Sequence, residues 1–145
     1  MATRISKNFT LEELCASDTA KAKGIRNVPD TQQTLNLCAL VHKVLQPLRD
    51  IYGGQVKIGS GFRCPALNKA VGGVSNSQHM KGEAADLCID GDIQKAKRWI
   101  EIIRALGDFD QLIMEHNAKG SYWVHISYRS DGKNRKQYIP ELLKK

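Results

Sequence analysis

Gln111-Leu112-Ile113-Met114-Glu115-His116-Asn117-Ala118-Lys119-Gly120-Ser121-Tyr122-Trp123-Val124-His125-Ile126-Ser127 reads as two strands joined by a turn. Each arm is rich in the aliphatic and aromatic residues that suit a pleated backbone, and Asn117 and Gly120 supply the turn. Side chains alternate along a strand, so Leu112 and Met114 point one way and Glu115 the other. In the second arm Val124 and Ile126 share a face, and His125 takes the opposite one. A hairpin closed at this turn sets Glu115 side by side with His125 above an apolar layer. His116 directly follows Glu115 and therefore faces away from it.

Upstream of the hairpin, Asp92 caps a helix that carries Ile93, Ala96, Ile100, Ile103 and Leu106 on one face and stops at Gly107. Ala84 to Ile89 alternates as a strand. The stretch from Cys64 to Gly82 is rich in Gly, Ser and Asn, with one helical turn expected after Pro65. Irregular segments of that length in small domains are usually functional. Val56 to Ile58 is a short strand that runs into Gly59-Ser60-Gly61-Phe62-Arg63.

Earlier still, Leu35, Cys38, Val41, Leu45 and Leu48 recur at spacings of three and four, an apolar helical stripe whose end Pro47 should kink or shorten. Asn27-Val28-Pro29-Asp30 is the turn before it. Phe9-Thr10-Leu11-Glu12-Glu13-Leu14 fits a capping box through Thr10 and Glu13, opening a first helix expected to end near Gly24. Helices early, strands late and one helix between them point to an α+β fold. We expect a single domain over residues 1–145, a small, mostly antiparallel sheet packed against about three helices.

Composition narrows the function classes. A chain of 145 residues with 41% apolar and 26% charged content can bury a core and is neither disordered nor fibrous. No apolar run approaches the ~18 residues of a membrane span. The formal net charge of +7 favours polyanions in general, with its densest cluster at Lys133, Arg135, Lys136, Lys144 and Lys145. Charge alone does not make a nucleic-acid-binding protein, and no aromatic-basic array or binding motif accompanies it, so no nucleic acid is expected as partner. Cys15, Cys38, Cys64 and Cys88 are widely spaced without a C-x-x-C pair, and the opening Met-Ala-Thr-Arg lacks a signal-peptide core. Synthesis in the cytoplasm with four free thiols is the expectation.

The chemistry gathers on few residues. In Ser77-Gln78-His79-Met80-Lys81-Gly82-Glu83-Ala84-Ala85-Asp86 a glycine-bearing turn leads into a strand, so His79 and Asp86 can meet at one point. Spacing alone fits a hydrogen-bonded His–Asp pair better than a metal site. With His125 from a neighbouring strand, however, the set supplies the three protein ligands that catalytic zinc uses, leaving the fourth position for water. Glu115, on the His125 side of its strand, is placed to accept a proton from that water. Arg63, in the Gly-rich turn after the first strand, suits bidentate carboxylate binding or oxyanion stabilisation, although its spacing alone fits a surface arginine better. His42, mid-helix, reads as a surface side chain.

Taken together, Ser60-Gly61-Phe62-Arg63, Leu67-Asn68, Val71-Gly72-Gly73, Ser77-Gln78-His79, Gly82-Glu83-Ala84-Ala85-Asp86, Glu115 and Trp123-Val124-His125 strongly resemble the D-Ala-D-Ala type zinc peptidases. That family includes phage endolysins, vancomycin-resistance dipeptidases and D,D-carboxypeptidases. Phe9 to Leu14 and Ile25-x-Asn27-x-Pro29 look like its short phage members, and the likeness runs from Phe9 to about Arg129.

The resemblance implies one zinc ion per chain on His79, Asp86 and His125, with Glu115 as catalytic base and Arg63 binding substrate and the developing oxyanion. Ser77, Gln78 and Trp123 match motif positions beside the site and are expected at the substrate. It implies the peptidoglycan stem peptide as substrate, cut as an endolysin-like L-Ala-D-Glu endopeptidase or a D-Ala-D-Ala carboxypeptidase. The enzyme is expected to be a monomer acting on the cell wall after release. The alternative is a zinc-containing, non-catalytic module that binds the wall or serves as a phage structural part, against which the presence of Glu115 argues.

Overall fold

The computed structural model describes residues 3–144. Five strands, β3 (Lys57–Ser60), β4 (Ala84–Cys88), β5 (Gln111–Asn117), β6 (Tyr122–Ser127) and β7 (Gln137–Lys144), form one sheet in the order β3-β4-β6-β5-β7. The β3–β4, β4–β6 and β6–β5 pairs are antiparallel, and β5–β7 is parallel. A short antiparallel ribbon of β1 (Arg4–Ser6) and β2 (Phe9–Thr10) precedes them. The fold is α+β with a mostly antiparallel sheet, as the order of apolar patterns requires.

One face of this sheet is dry. Ala85 and Leu87 from β4, Leu112 and Met114 from β5, and Val124 and Ile126 from β6 pack with Leu37, Leu40, Val44, Trp99 and Ile103 of the helices. Removing each aliphatic or aromatic side chain from water stabilises the fold by about 1.5–3 kcal/mol, so this layer fixes the strands that carry the opposite face. By alternation that opposite face bears Asp86, Cys88, Ile113, Glu115, Trp123 and His125.

The helices differ from the sequence reading in three places. The first splits into α1 (Leu11–Cys15) and α2 (Asp18–Lys23), because Ala16 is extended and Ser17 caps a new start through its hydroxyl, which accepts from the Ala20 N–H. The capping box of Thr10 and Glu13 is present at α1. The second helix runs as α3 (Thr31–Leu40), one π-helical turn (Val41–Leu45) and α4 (Gln46–Tyr52). Pro47 does not shorten it. It lacks an N–H, and the wide turn just before it, in which the Gln46 N–H reaches Val41 O, absorbs the missing bond. Leu35 is 56% exposed, and Leu37, Leu40, Val41, Val44, Leu45 and Leu48 form the buried stripe instead.

With α5 (Pro65–Ala70) and α6 (Ile93–Leu106), the latter between the Asp92 cap and Gly107 as expected, the α-helical stretches among the described residues number five rather than about three, counting α3 to α4 as one. No helix among the described residues is long and apolar enough to cross a membrane.

Strand β7 was not legible beforehand. Pro140 interrupts its apolar pattern, and the surrounding lysines read as a basic tail. Pairing explains the proline: Ile139 lies opposite Ile113 and Leu142 opposite Glu115, so Pro140 and Glu141 share a bulge on an edge strand. Edges and bulges are the sheet positions that tolerate a residue without N–H.

Candidate metal centre

Register places the first two groups. Asp86 on β4 is the direct partner of His125 on β6, which puts both side chains on the open face of the sheet. His79 arrives from a 3-10 turn, Gln78–Lys81, which ends at Gly82 with a left-handed φ of 74°. A Cβ at Gly82 would also collide with the Gln33 carbonyl oxygen, so the reversal that aims the turn at β4 requires glycine there.

The His79 Nδ1 lies 2.7 Å from the Gly61 carbonyl oxygen. A carbonyl only accepts, so Nδ1 carries the hydrogen and Nε2 offers its lone pair to the cluster. That Nε2 is 3.4 Å from Asp86 Oδ1, and His125 Nδ1 is 2.9 Å from the same oxygen. The donor atoms of all three residues lie within 4.8 Å of one another. Ligands held tetrahedrally at ~2.0–2.1 Å from zinc stand about 3.3 Å apart. The His, Asp, His donor set and its spacing therefore fit such an ion with little rearrangement, and His79 and His125 are 4% and 9% exposed.

Asp86 remains ionised. Burial pushes its carboxyl up, but the His79 and His125 imidazoles against it, in their protonated, metal-free form, outweigh that and hold it well below the usual carboxylate range. Its other oxygen, Oδ2, lies 3.4 Å from Arg63 Nη2. Arg63 is not a surface arginine: its side chain is 14% exposed. Its Nε donates to Ser60 Oγ at 3.1 Å and its Nη1 to Asn68 Oδ1 at 3.2 Å. Burial lowers its pKa, with Asp86 and Glu115 opposing. Its backbone N–H donates to His79 O, tying the arginine loop to the metal-ligand turn.

Glu115 is 3% exposed and faces the cluster, but not as the hairpin reading had it. The residue opposite His125 is Ile113, and Glu115 pairs with Trp123. The two sites are diagonal neighbours: Glu115 Oε1 lies 3.7 Å from His125 Nδ1 and accepts from Trp123 Nε1 at 2.9 Å. Trp123 therefore orients the carboxylate. Ser77 is buried, and its hydroxyl accepts from the His79 N–H. The Gln78 amide donates to Asp110 Oδ2 and Glu83 Oε1. Both residues support the ligand turn and also line the cleft.

Sequence reasoning missed three contributors. Asn68 joins Arg63 to the Val74 carbonyl, bracing the loop that borders the site. Asp110, fully buried, accepts from Gln78 and, through both oxygens, from Arg135. Lys144 places its Nζ 3.5 Å from Glu115 Oε2. Nothing in the sequence singled out Asp110 from Asp108 beside it, or Arg135 and Lys144 from the basic tail.

All four cysteines are free thiols. Cys88 shares the face of Asp86, yet no cysteine belongs to the metal-ligating group among the described residues. Burial raises the thiols of Cys88 and Cys15, the latter, beside Glu12, to about 11. A cleft of about 550 Å³ exposes Arg63, His79, Asp86, Glu115 and His125 to solvent. A second hollow of about 720 Å³, lined by Cys88, Ile89, Ile93 and Tyr122, shares Asp86 and Trp123 with it as lining residues.

Comparison with known proteins adds two findings. A family model described as peptidase M15 matches residues 7–127, most of the chain. The zinc D-Ala-D-Ala carboxypeptidase of Streptomyces albus G is 40% identical over 83 residues, which is 55% of this chain and 31% of that relative. The chain thus covers less than a third of the relative's length.

Proposed function

The chain belongs to the peptidase M15 family, and from that premise we propose that it is a zinc-dependent peptidase hydrolysing peptide bonds of the peptidoglycan stem peptide. The observation that carries this reading is a buried carboxylate, Glu115, beside a three-ligand His79, Asp86 and His125 group in an open cleft. Zinc held by those three residues supplies a Lewis acid for the scissile carbonyl and makes water acidic enough to lose a proton near neutrality. The non-catalytic alternative leaves Glu115 and its indole partner without a task.

The chain's own groups divide the remaining work. Glu115 takes the proton of the attacking water and returns it to the leaving amine, held in position by the Trp123 N–H. Arg63 has five N–H donors and directs three of them to Ser60, Asn68 and Asp86. The other two are available to a substrate carboxylate or to the oxyanion. Ser77, Gln78 and Trp123 line the cleft and border the substrate.

Within this reading we favour an endolysin-like L-Ala-D-Glu endopeptidase over a D-Ala-D-Ala carboxypeptidase. Asp86 and Trp123 line both hollows, which suits a peptide running past the metal in both directions. The protein then acts as a monomer on the cell wall after leaving the cytoplasm. Mass spectrometry of peptidoglycan digested by zinc-loaded protein tests both levels. New amino termini on D-Glu support the endopeptidase, release of D-Ala alone moves the assignment to the carboxypeptidase, and no change in the wall rejects the enzyme.

A further inference from the structure

Strand β7 lies beyond residues 7–127, the part matched by the family model, yet it walls the cleft. Ile139, Leu142 and Lys144 all line it. The bulge at Pro140 sets the register that brings Leu142 opposite Glu115 and Lys144 opposite Asn117. Lys144 Nζ reaches 3.5 Å from Glu115 Oε2 while its side chain stays 42% exposed. An ammonium has three N–H donors, and Glu115 engages one direction only.

The other two cations of the cleft are each tied to an acid of the chain. Arg63 is held by Ser60, Asn68 and Asp86. Arg135 grips both oxygens of Asp110. Charge counting sharpens the point. Arg63, Arg135 and Lys144 balance Asp86, Asp110 and Glu115, three against three, before any metal is added. A divalent ion leaves a surplus of two positive charges in a partly enclosed space, which attracts anions. Lys144, on the β7 wall, can meet such an anion without giving up a buried bond.

We propose that Lys144 is a specificity-determining residue whose ammonium binds a carboxylate of the peptide beside the scissile bond, so that the cleft selects acidic over amidated substrates. The inference deepens the peptidase reading and rests on it. The test compares two stem peptides, one with a free D-Glu α-carboxylate and one α-amidated, with zinc-loaded wild type, Lys144→Met and Lys144→Arg. Zinc content and melting temperature serve as controls for folding.

In wild type, amidation should lower kcat/KM roughly tenfold, the value of one charge-assisted contact at a half-exposed site. Lys144→Met should bring the acid-to-amide ratio of kcat/KM close to one, whatever its activity on the amide, and Lys144→Arg should restore the preference. An equal loss on both peptides means that Lys144 acts only through Glu115 and overturns the proposal, as does no loss on either. If wild type cleaves neither peptide, the peptidase reading fails, and calorimetric binding of the same two peptides decides Lys144 by itself. An acid preference that disappears in Lys144→Met sustains the proposal, and equal affinities overturn it.

Discussion

Replacing Asp110 by asparagine should destabilise the protein by about 2 kcal/mol near neutral pH, the worth of two lost hydrogen bonds of which one is charge-assisted. Asp110 accepts four bonds, from the Arg135 backbone N–H at 2.8 Å, its Nε at 2.9 Å, its Nη2 at 2.7 Å and Gln78 Nε2 at 2.9 Å. Asparagine keeps one oxygen, but its amide group must point a donor at the donors of Arg135 and Gln78. A second route gives a similar size. Burial pushes the Asp110 carboxyl up, yet the bonds from Arg135 and Gln78 prevail and bring it from 3.8 down to about 2. Discounted for solvent around Arg135, whose side chain is 51% exposed, that depression corresponds to about 1–2 kcal/mol.

The sign follows from proton linkage. A carboxyl depressed in the folded state stabilises above its ordinary value and loses that contribution as pH falls through the folded one. The gap between wild type and Asp110→Asn should therefore be constant at neutral pH and shrink from pH 3.8 towards about 2. Urea unfolding of metal-stripped proteins at several pH values measures it, with the metal removed so that ligand protonation does not intrude. A variant within ~0.5 kcal/mol of wild type at pH 6, or a gap that stays wide in acid, would refute the reasoning.

The purified protein should hold about one zinc per chain, and His79→Ala, Asp86→Ala and His125→Ala should each lose most of it; full occupancy in all three would mean that other residues bind the metal. Glu115→Gln keeps the Trp123 bond through its carbonyl oxygen, so zinc should remain while turnover falls by a factor on the order of 100 to 10,000. Near wild-type turnover there removes Glu115 from the mechanism, and loss of zinc makes it a ligand. Alkylation of unfolded, unreduced protein should label all four thiols, and a mass two labels short would reveal a disulfide.

The ligands were legible because they sit on regular elements or next to a glycine that fixes a turn. Alternation alone put His125 and Glu115 on one face, and Gly82 announced the reversal behind His79. Their relative offset was not legible, because it depends on the hairpin register, and that placed Ile113 rather than Glu115 opposite His125. The helix count failed at Ser17, a side chain that caps a new helix as readily as it decorates an old one. Leu35 is misplaced because two apolar series at three-and-four spacing overlap here, and the one through Leu37, Leu40, Val44 and Leu48 is the one buried. β7 was lost to its proline and lysines, and Arg135 and Lys144 went with it: long-range partners leave no local pattern.

Asp86 and Glu115 stand on neighbouring layers of one sheet face, and their surroundings separate their duties. Asp86 has Oδ1 beside the two imidazoles with which it would share the metal and Oδ2 against Arg63, so the group stays charged and fixed. Glu115 is held differently. Oε1 accepts a short bond from an indole that cannot titrate, whereas Oε2 meets only a flexible, half-exposed lysine at 3.5 Å. A base must gain and lose a proton without losing its position. One anchored oxygen and one lightly attended oxygen meet both demands. A substrate carboxylate that draws Lys144 towards itself would free Oε2 at the moment when the scissile bond arrives, coupling recognition on β7 to the base on β5.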